Sequence, residues 1–185
     1  SDAAIAWTAL ADNTVREMAG AAAREIGRRY GPPPGRWSVL AMGKHGGEEL
    51  TAGSDLDIIV VYDPDSDEAG EAQSWFTRFT QRLITALSAP TAEGTLYEVD
   101  MRLRPSGRSG PVAVRLSAFE RYQNEEAWTW EHMALTRLRP VAGDAALGRQ
   151  ARAIAMNAIT GRAGRPGLQV DVADTSARRE SHVVP

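Results

Sequence analysis

Met42-Gly43-Lys44-His45-Gly46-Gly47, a short spacer, and Gly53-Ser54-Asp55-Leu56-Asp57-Ile58-Ile59-Val60-Val61-Tyr62 form the stretch from which the rest of the chain is best understood. The apolar run from Ile58 to Tyr62 reads as a buried strand, and Asp55 and Asp57 stand at its head. Residues two apart on a strand point to the same side, with Cα atoms roughly 6 to 7 Å apart. A divalent ion fits between two such carboxylates, and hard oxygen donors of this kind suit magnesium or manganese. The glycines at 43, 46, 47 and 53 let backbone approach a ligand closely, and Lys44 is placed to meet negative charge. The combination points to a metal and nucleotide-phosphate site.

A second stretch carries complementary charge. From Thr95 to Arg104 the sequence alternates: Tyr97, Val99, Met101 and Leu103 fall on one face of an expected strand, and Glu98, Asp100, Arg102 and Arg104 on the other. Should this strand lie beside that of Asp57, Asp100 supplies a third acid. Three carboxylates could then hold two ions about 3.5 to 4 Å apart, an arrangement suited to phosphoryl or nucleotidyl transfer. Crowded carboxylates raise one another's pKa and need cations, which Arg102, Arg104 and Lys44 provide. Arginine also grips phosphate through paired hydrogen bonds.

Each feature alone has a plainer explanation. Asp-x-Asp arises readily by chance, and an alternating charged strand reads equally as a solvated sheet face. A single lysine is ordinarily a surface residue. His45 and His132 read as structural rather than catalytic, and Trp128 and Trp130 as core or interface packing rather than a base-stacking platform. The glycine cluster matches neither a Walker A loop nor Gly-x-Gly-x-x-Gly. Joint occurrence, in one short span, is what favours the site.

Outward from this centre, Ala3 to Tyr30 reads as one or two amphipathic helices, stopped by Gly31 and the prolines 32 to 34. Trp37 to Met42 reads as a strand and Glu71 to Leu87 as a helix packed on the sheet. The acids Asp63, Asp65 and Asp67 lack the glycine and glutamate an EF-hand requires, so they read as a solvated loop. Pro111 to Leu116 suggests a short strand, Ser117 to Glu120 a capping box opening a helix to about Glu126, and Asp144 to Ile159 a last helix. The expected organisation is an N-terminal helical segment (1–30), a catalytic domain (36–160) and a flexible or atypical tail (161–185). The expected fold class is α+β, with a mixed β-sheet flanked by helices.

Composition narrows the partners. The 43% apolar and 24% charged shares are ordinary for a globular domain, and a net charge of −3 argues against general affinity for nucleic acid or anionic membrane. There is no cysteine, hence no thiolate metal site, and no segment reads as a membrane span or signal peptide. The cytoplasm is the expected compartment. The chain starts within a helical pattern without methionine and is expected to be a piece of something longer.

The glycine turn, the spaced Asp-x-Asp and the later acid resemble the nucleotidyltransferase superfamily typified by DNA polymerase beta. A closer resemblance follows from Met42-Gly43-Lys44-His45-Gly46-Gly47-Glu48-Glu49-Leu50, Ser54-Asp55-Leu56-Asp57, Tyr97-Glu98-Val99-Asp100-Met101-Arg102-Leu103-Arg104-Pro105-Ser106-Gly107 and Glu126-Ala127-Trp128-Thr129-Trp130-Glu131-His132. These segments resemble glutamine synthetase adenylyltransferases, whose members carry two such domains, one adding AMP to a tyrosine of glutamine synthetase and one removing it by phosphorolysis. Arg104-Pro105-Ser106-Gly107 and the segment 126–132 are similar to the C-terminal, adenylylating domain.

The resemblance implies a nucleotidyltransferase fold, with Asp55, Asp57 and Asp100 as catalytic and metal-binding residues. Gly43, Lys44, Gly53, Ser54, Arg102 and Arg104 would bind nucleotide. ATP is the implied substrate, Mg2+ or Mn2+ the cofactor and glutamine synthetase the partner, with the PII regulatory protein acting through regions beyond this sequence. The alternatives are phosphorolytic deadenylylation and a non-catalytic nucleotide-binding or docking module.

Overall fold

Val39-Leu40-Ala41 and Ile58-Ile59-Val60-Val61 are unbroken apolar runs of the kind that form strands covered on both faces. In the computed structural model, which describes residues 1–66, 69–92 and 94–163, they lie at the centre of a five-stranded sheet. The elements run α1 (Asp2–Tyr30), β1 (Gly35–Ala41), α2 (Gly43–Gly46), β2 (Leu56–Pro64), α3 (Ala69–Leu87), the small hairpin β3 (Pro90–Thr91) and β4 (Gly94–Thr95), and β5 (Val99–Asp100). They continue with β6 (Ala113–Arg115), α4 (Leu116–Glu125), α5 (Thr129–Leu135), β7 (Arg139–Gly143) and α6 (Ala145–Ala163). β1 pairs antiparallel with β2 on one side and with β7 on the other. The outer edge of β2 carries two short parallel partners, β5 at its start and β6 further along. The sheet is therefore mixed, and the α+β expectation holds.

Strand parity divides the core. Val39, Ala41, Ile58 and Val60 face α1 and α3, where Ala11, Val15, Ala19, Phe76, Phe79 and Leu83 close over them. Leu40, Met42, Ile59 and Val61 face α4, α5 and α6, meeting Phe119, Leu135, Leu147 and Ala151. Each fully buried side chain of this size contributes roughly 1.5 to 3 kcal/mol. Trp37 lies 4.6 Å from Phe79 and Tyr62 stacks on Phe76 at 4.5 Å, which fixes α3 over the sheet. The N-terminal helix is one continuous element, and its buried face belongs to this same core.

Five points differ from the expectations. The strand expected over Thr95 to Arg104 is only Val99–Asp100, because the Asp100 carboxylate accepts the Arg102 amide at 2.8 Å and turns the chain away. α4 begins at Leu116, with Arg115 extended before it and no side-chain cap, so Ser117 and Glu120 form no capping box. The next helix has only the reciprocal half of such a box, in which Glu131 Oε2 accepts the Trp128 amide at 2.8 Å. Trp128 and Trp130 are 71% and 45% exposed, which removes the core from the two packing roles expected of them, core and interface. β7 was not foreseen, since Pro140 lacks a donor; the strand tolerates it as the edge of the sheet. α6 is capped by Asp144, whose Oδ1 accepts the Leu147 amide at 2.7 Å, and it runs past Gly161. The rest of the expected tail, 164–185, lies outside the described residues.

Candidate active site

β2 and β5 lie side by side in parallel, with Leu56 opposite Val99 and Asp57 opposite Asp100. The Leu56 amide donates to the Glu98 carbonyl at 2.8 Å, locking the start of the pair. Asp57 shares the parity of Ile59 and Val61, but it precedes the apolar run and is only half-buried. Burial pushes its carboxyl up, and the negative charges of Asp100 and Asp55 add to the effect, to about 6. Asp55, just ahead of the strand, is exposed. Asp57 is thus the carboxylate that feels the charge of the other two.

The glycine-rich turn seats against this pair. Met42 donates its amide to the Asp57 carbonyl at 2.9 Å, so the chain entering the turn is bonded to the strand carrying the acid. Gly43 follows with φ of 53°, and a Cβ there would collide with Asp57 Oδ2 and lie 3.0 Å from its Cγ. Only glycine allows so close an approach in that conformation. Lys44 is exposed on the same turn. At the far end of the spacer, Gly53 has φ of 77°, and Ser54 Oγ accepts the Thr51 amide at 3.0 Å, shaping the approach to Asp55.

The arginines divide into two kinds. Arg102 is exposed and clasps Asp100, donating Nε to Oδ2 at 2.7 Å while its amide bonds Oδ1. Burial tends to raise the Asp100 pKa, but these bonds and the Arg102 charge outweigh it and hold the carboxyl below its usual range. Arg104 departs from the expectation that it faces phosphate. Its guanidinium donates to the carbonyls of Met101 at 2.8 Å, Arg108 at 3.3 Å and Gly110 at 3.3 Å, holding the loop after β5 together from inside. A cleft of about 390 Å³ opens alongside, bordered by Asp55, Glu98, Asp100, Arg102, Arg104 and Arg108. Arg108 escaped the sequence reading because it falls beyond the expected strand; the loop folded around Arg104 brings it back to the cleft.

The donor set is one of hard oxygens with surplus negative charge, which suits a divalent cation. Gly43 leaves space for Asp57 that a side chain would fill, and this too fits. Among the described residues no three acidic, imidazole or thiol side chains are gathered closely enough to hold an ion as they stand. At Asp100 the carboxylate is already paired with Arg102.

His45 and His132 are both buried and structural. His132 Nε2 lies 3.1 Å from the Gln123 carbonyl, and His45 Nε2 lies 2.8 Å from Asp12 Oδ1. Asp12 on α1 and Arg139 on β7 complete a cluster behind the glycine turn that no sequence motif marks.

A profile describing glutamate-ammonia ligase adenylyltransferases matches residues 2–154. The chain belongs to this family. Glutamate-ammonia ligase adenylyltransferase relatives extend the match over nearly all of it. A bifunctional glutamine synthetase adenylyltransferase/adenylyl-removing enzyme of Agrobacterium fabrum is 52% identical over 192 residues, 99% of this chain and 19% of that protein. The protein of the same name from Rhizobium meliloti is 50% identical over 176 residues, 90% of this chain and 18% of that protein. One from Brucella suis is 54% identical over 149 residues, with 76% and 15% covered. The chain spans 19% or less of the length of these relatives. Among the described residues no helix is long and apolar enough to cross a membrane.

Proposed function

We propose that this domain transfers AMP from ATP to a tyrosine hydroxyl of glutamine synthetase, in the cytoplasm, with regulation by PII residing in other parts of a longer protein. The observation that carries the reading is the pairing of Asp57 with Asp100 across adjacent parallel strands, beside a glycine turn and an arginine-lined cleft. Asp55, Asp57 and Asp100 are the residues that would hold magnesium or manganese, which when bound supplies positive charge to the triphosphate.

The chain's own residues do the rest. Gly43 admits the phosphates close to the backbone, and Lys44 offsets their charge, while Gly53 and Ser54 set the loop that leads into Asp55. Arg102 exchanges the Asp100 carboxylate for phosphate oxygens when nucleotide enters. That exchange frees a carboxylate oxygen of Asp100 to accept the phenolic proton. The tyrosine oxygen then bonds to the α-phosphorus, the bond from that phosphorus to the bridging oxygen breaks, and pyrophosphate leaves. Arg104 acts indirectly by holding the loop, and Arg108 faces the same cleft.

The test is incorporation of labelled AMP from ATP into glutamine synthetase. Asp55→Ala and Asp57→Ala are each expected to abolish it, and unchanged activity in either overturns the assignment. The relatives' names also include adenylyl removal, so the same preparations are assayed for ADP release from adenylylated glutamine synthetase and inorganic phosphate. ADP release without forward transfer would assign the reverse reaction instead.

A further inference from the structure

The glycine turn is held from behind by a charged cluster that no part of the proposed chemistry uses. Asp12, on the first helix, accepts Arg139 Nη1 at 2.7 Å through Oδ2 and Arg139 Nη2 at 3.1 Å through Oδ1. The same Oδ1 lies 2.8 Å from His45 Nε2, and the His45 side chain is fully buried. Burial raises the Asp12 pKa, but its bonds to His45 and Arg139 more than reverse this, and the carboxyl sits below its usual range. Arg139 Nη2 also donates to the His45 carbonyl at 3.1 Å, with Nε 3.5 Å from the Gly46 carbonyl. The cluster therefore grips the main chain of the turn and not only its side chains.

Stability alone does not call for such a device. Buried charge clusters are often no more stable than apolar side chains of the same volume, but only directional donors can fix where backbone carbonyls point. The opposite side of the turn is fixed by the Met42 amide on the Asp57 carbonyl. Close packing leaves little slack between these anchors, since a Cβ on Gly46 would collide with the Arg137 carbonyl and lie 2.8 Å from that of Ala41.

We propose that Asp12, Arg139 and His45 are positioning residues, which hold the turn bearing Gly43 and Lys44 against Asp57 so that it is set for the β- and γ-phosphates of a nucleoside triphosphate. This rests on the reading of the turn as a phosphate site. Asp12 touches neither the turn's ligand face nor the acids. It acts through Arg139 and the carbonyls of His45 and Gly46. Displacement of a positioned group by about 1 Å costs up to about a hundredfold in rate, so a loosened turn has a measurable effect.

The experiment measures binding of a non-hydrolysable ATP analogue and of AMP, both with magnesium, to the protein and to Asp12→Asn, Asp12→Glu and Arg139→Lys. Asp12→Asn keeps shape and removes the charge that orients Arg139. Its affinity for the analogue is expected to fall about tenfold, with AMP affinity and the far-ultraviolet spectrum unchanged. Asp12→Glu is expected to recover part of the loss. Should Asp12→Asn fail to fold, Arg139→Lys, which keeps the charge and loses the fork, carries the same expectation. Analogue affinity equal to that of the unaltered protein in a folded variant overturns the proposal, as does an equal loss for AMP. Failure of the unaltered protein to bind the analogue overturns the phosphate reading beneath it instead.

Discussion

Asp57 and Asp100 face each other across the parallel pair of β2 and β5, and Arg102 clasps the second of them. One carboxyl is raised to about 6 and the other held low, although they belong to the same cluster. Burial, with two negative neighbours added, raises Asp57, whereas at Asp100 the bonds and charge of Arg102 outweigh burial.

This asymmetry sets a pH-dependent stability. Folding raises the Asp57 pKa from 3.8 to about 6, so between those values the folded chain binds the proton more tightly than the unfolded chain. The ionised carboxylate therefore destabilises the metal-free protein above about pH 6, and the penalty is absent below about pH 4. Allowing for partial solvent screening it amounts to about 1 to 2 kcal/mol. Asp57→Asn is expected to melt higher than the unaltered protein at pH 8 without metal and nearly level with it at pH 4. Thermal unfolding at the two pH values checks this.

Arg102 and Arg104 are expected to fail in different ways. Arg104→Ala removes donors to three carbonyls and should destabilise the fold by about 1 to 3 kcal/mol, seen in denaturant unfolding. Arg102→Ala leaves an exposed position, so its melting temperature should hold while kcat/KM for ATP falls by about ten- to a hundredfold. Equal stability losses in both would contradict the division between them.

The two positive-φ glycines of the motif separate strain from contact. Gly53 has no neighbour within 4 Å of an added Cβ, so Gly53→Ala carries backbone strain alone, about 1 kcal/mol. Gly43→Ala adds a collision with Asp57, and it should abolish AMP transfer as well as lower the melting temperature. Parallel melting curves and labelled-AMP assays distinguish the two.

The strand that carries Asp57 was legible in the sequence because its apolar run is unbroken, and the glycine turn because four glycines fall within eleven residues. The pairing of Asp57 with Asp100 could be anticipated only conditionally, since register is a tertiary property. Arg104 was misread for a physical reason: the alternation that placed it beside Arg102 ends at Asp100, where the carboxylate captures the next backbone amide but one and the loop begins. The cluster of Asp12, His45 and Arg139 was invisible, because its members lie up to 127 residues apart and join only when α1 packs against β7.

Binding of manganese with a non-hydrolysable ATP analogue, followed by the relaxation of water protons, tests the central claim most directly. The unaltered protein is expected to bind the ion much more tightly with the analogue than without it. Asp57→Asn and Asp100→Asn, each shown to be folded, are expected to lose that binding. Retention of full manganese and analogue affinity in both variants would contradict the assignment of Asp57 and Asp100 to one ion and nucleotide site.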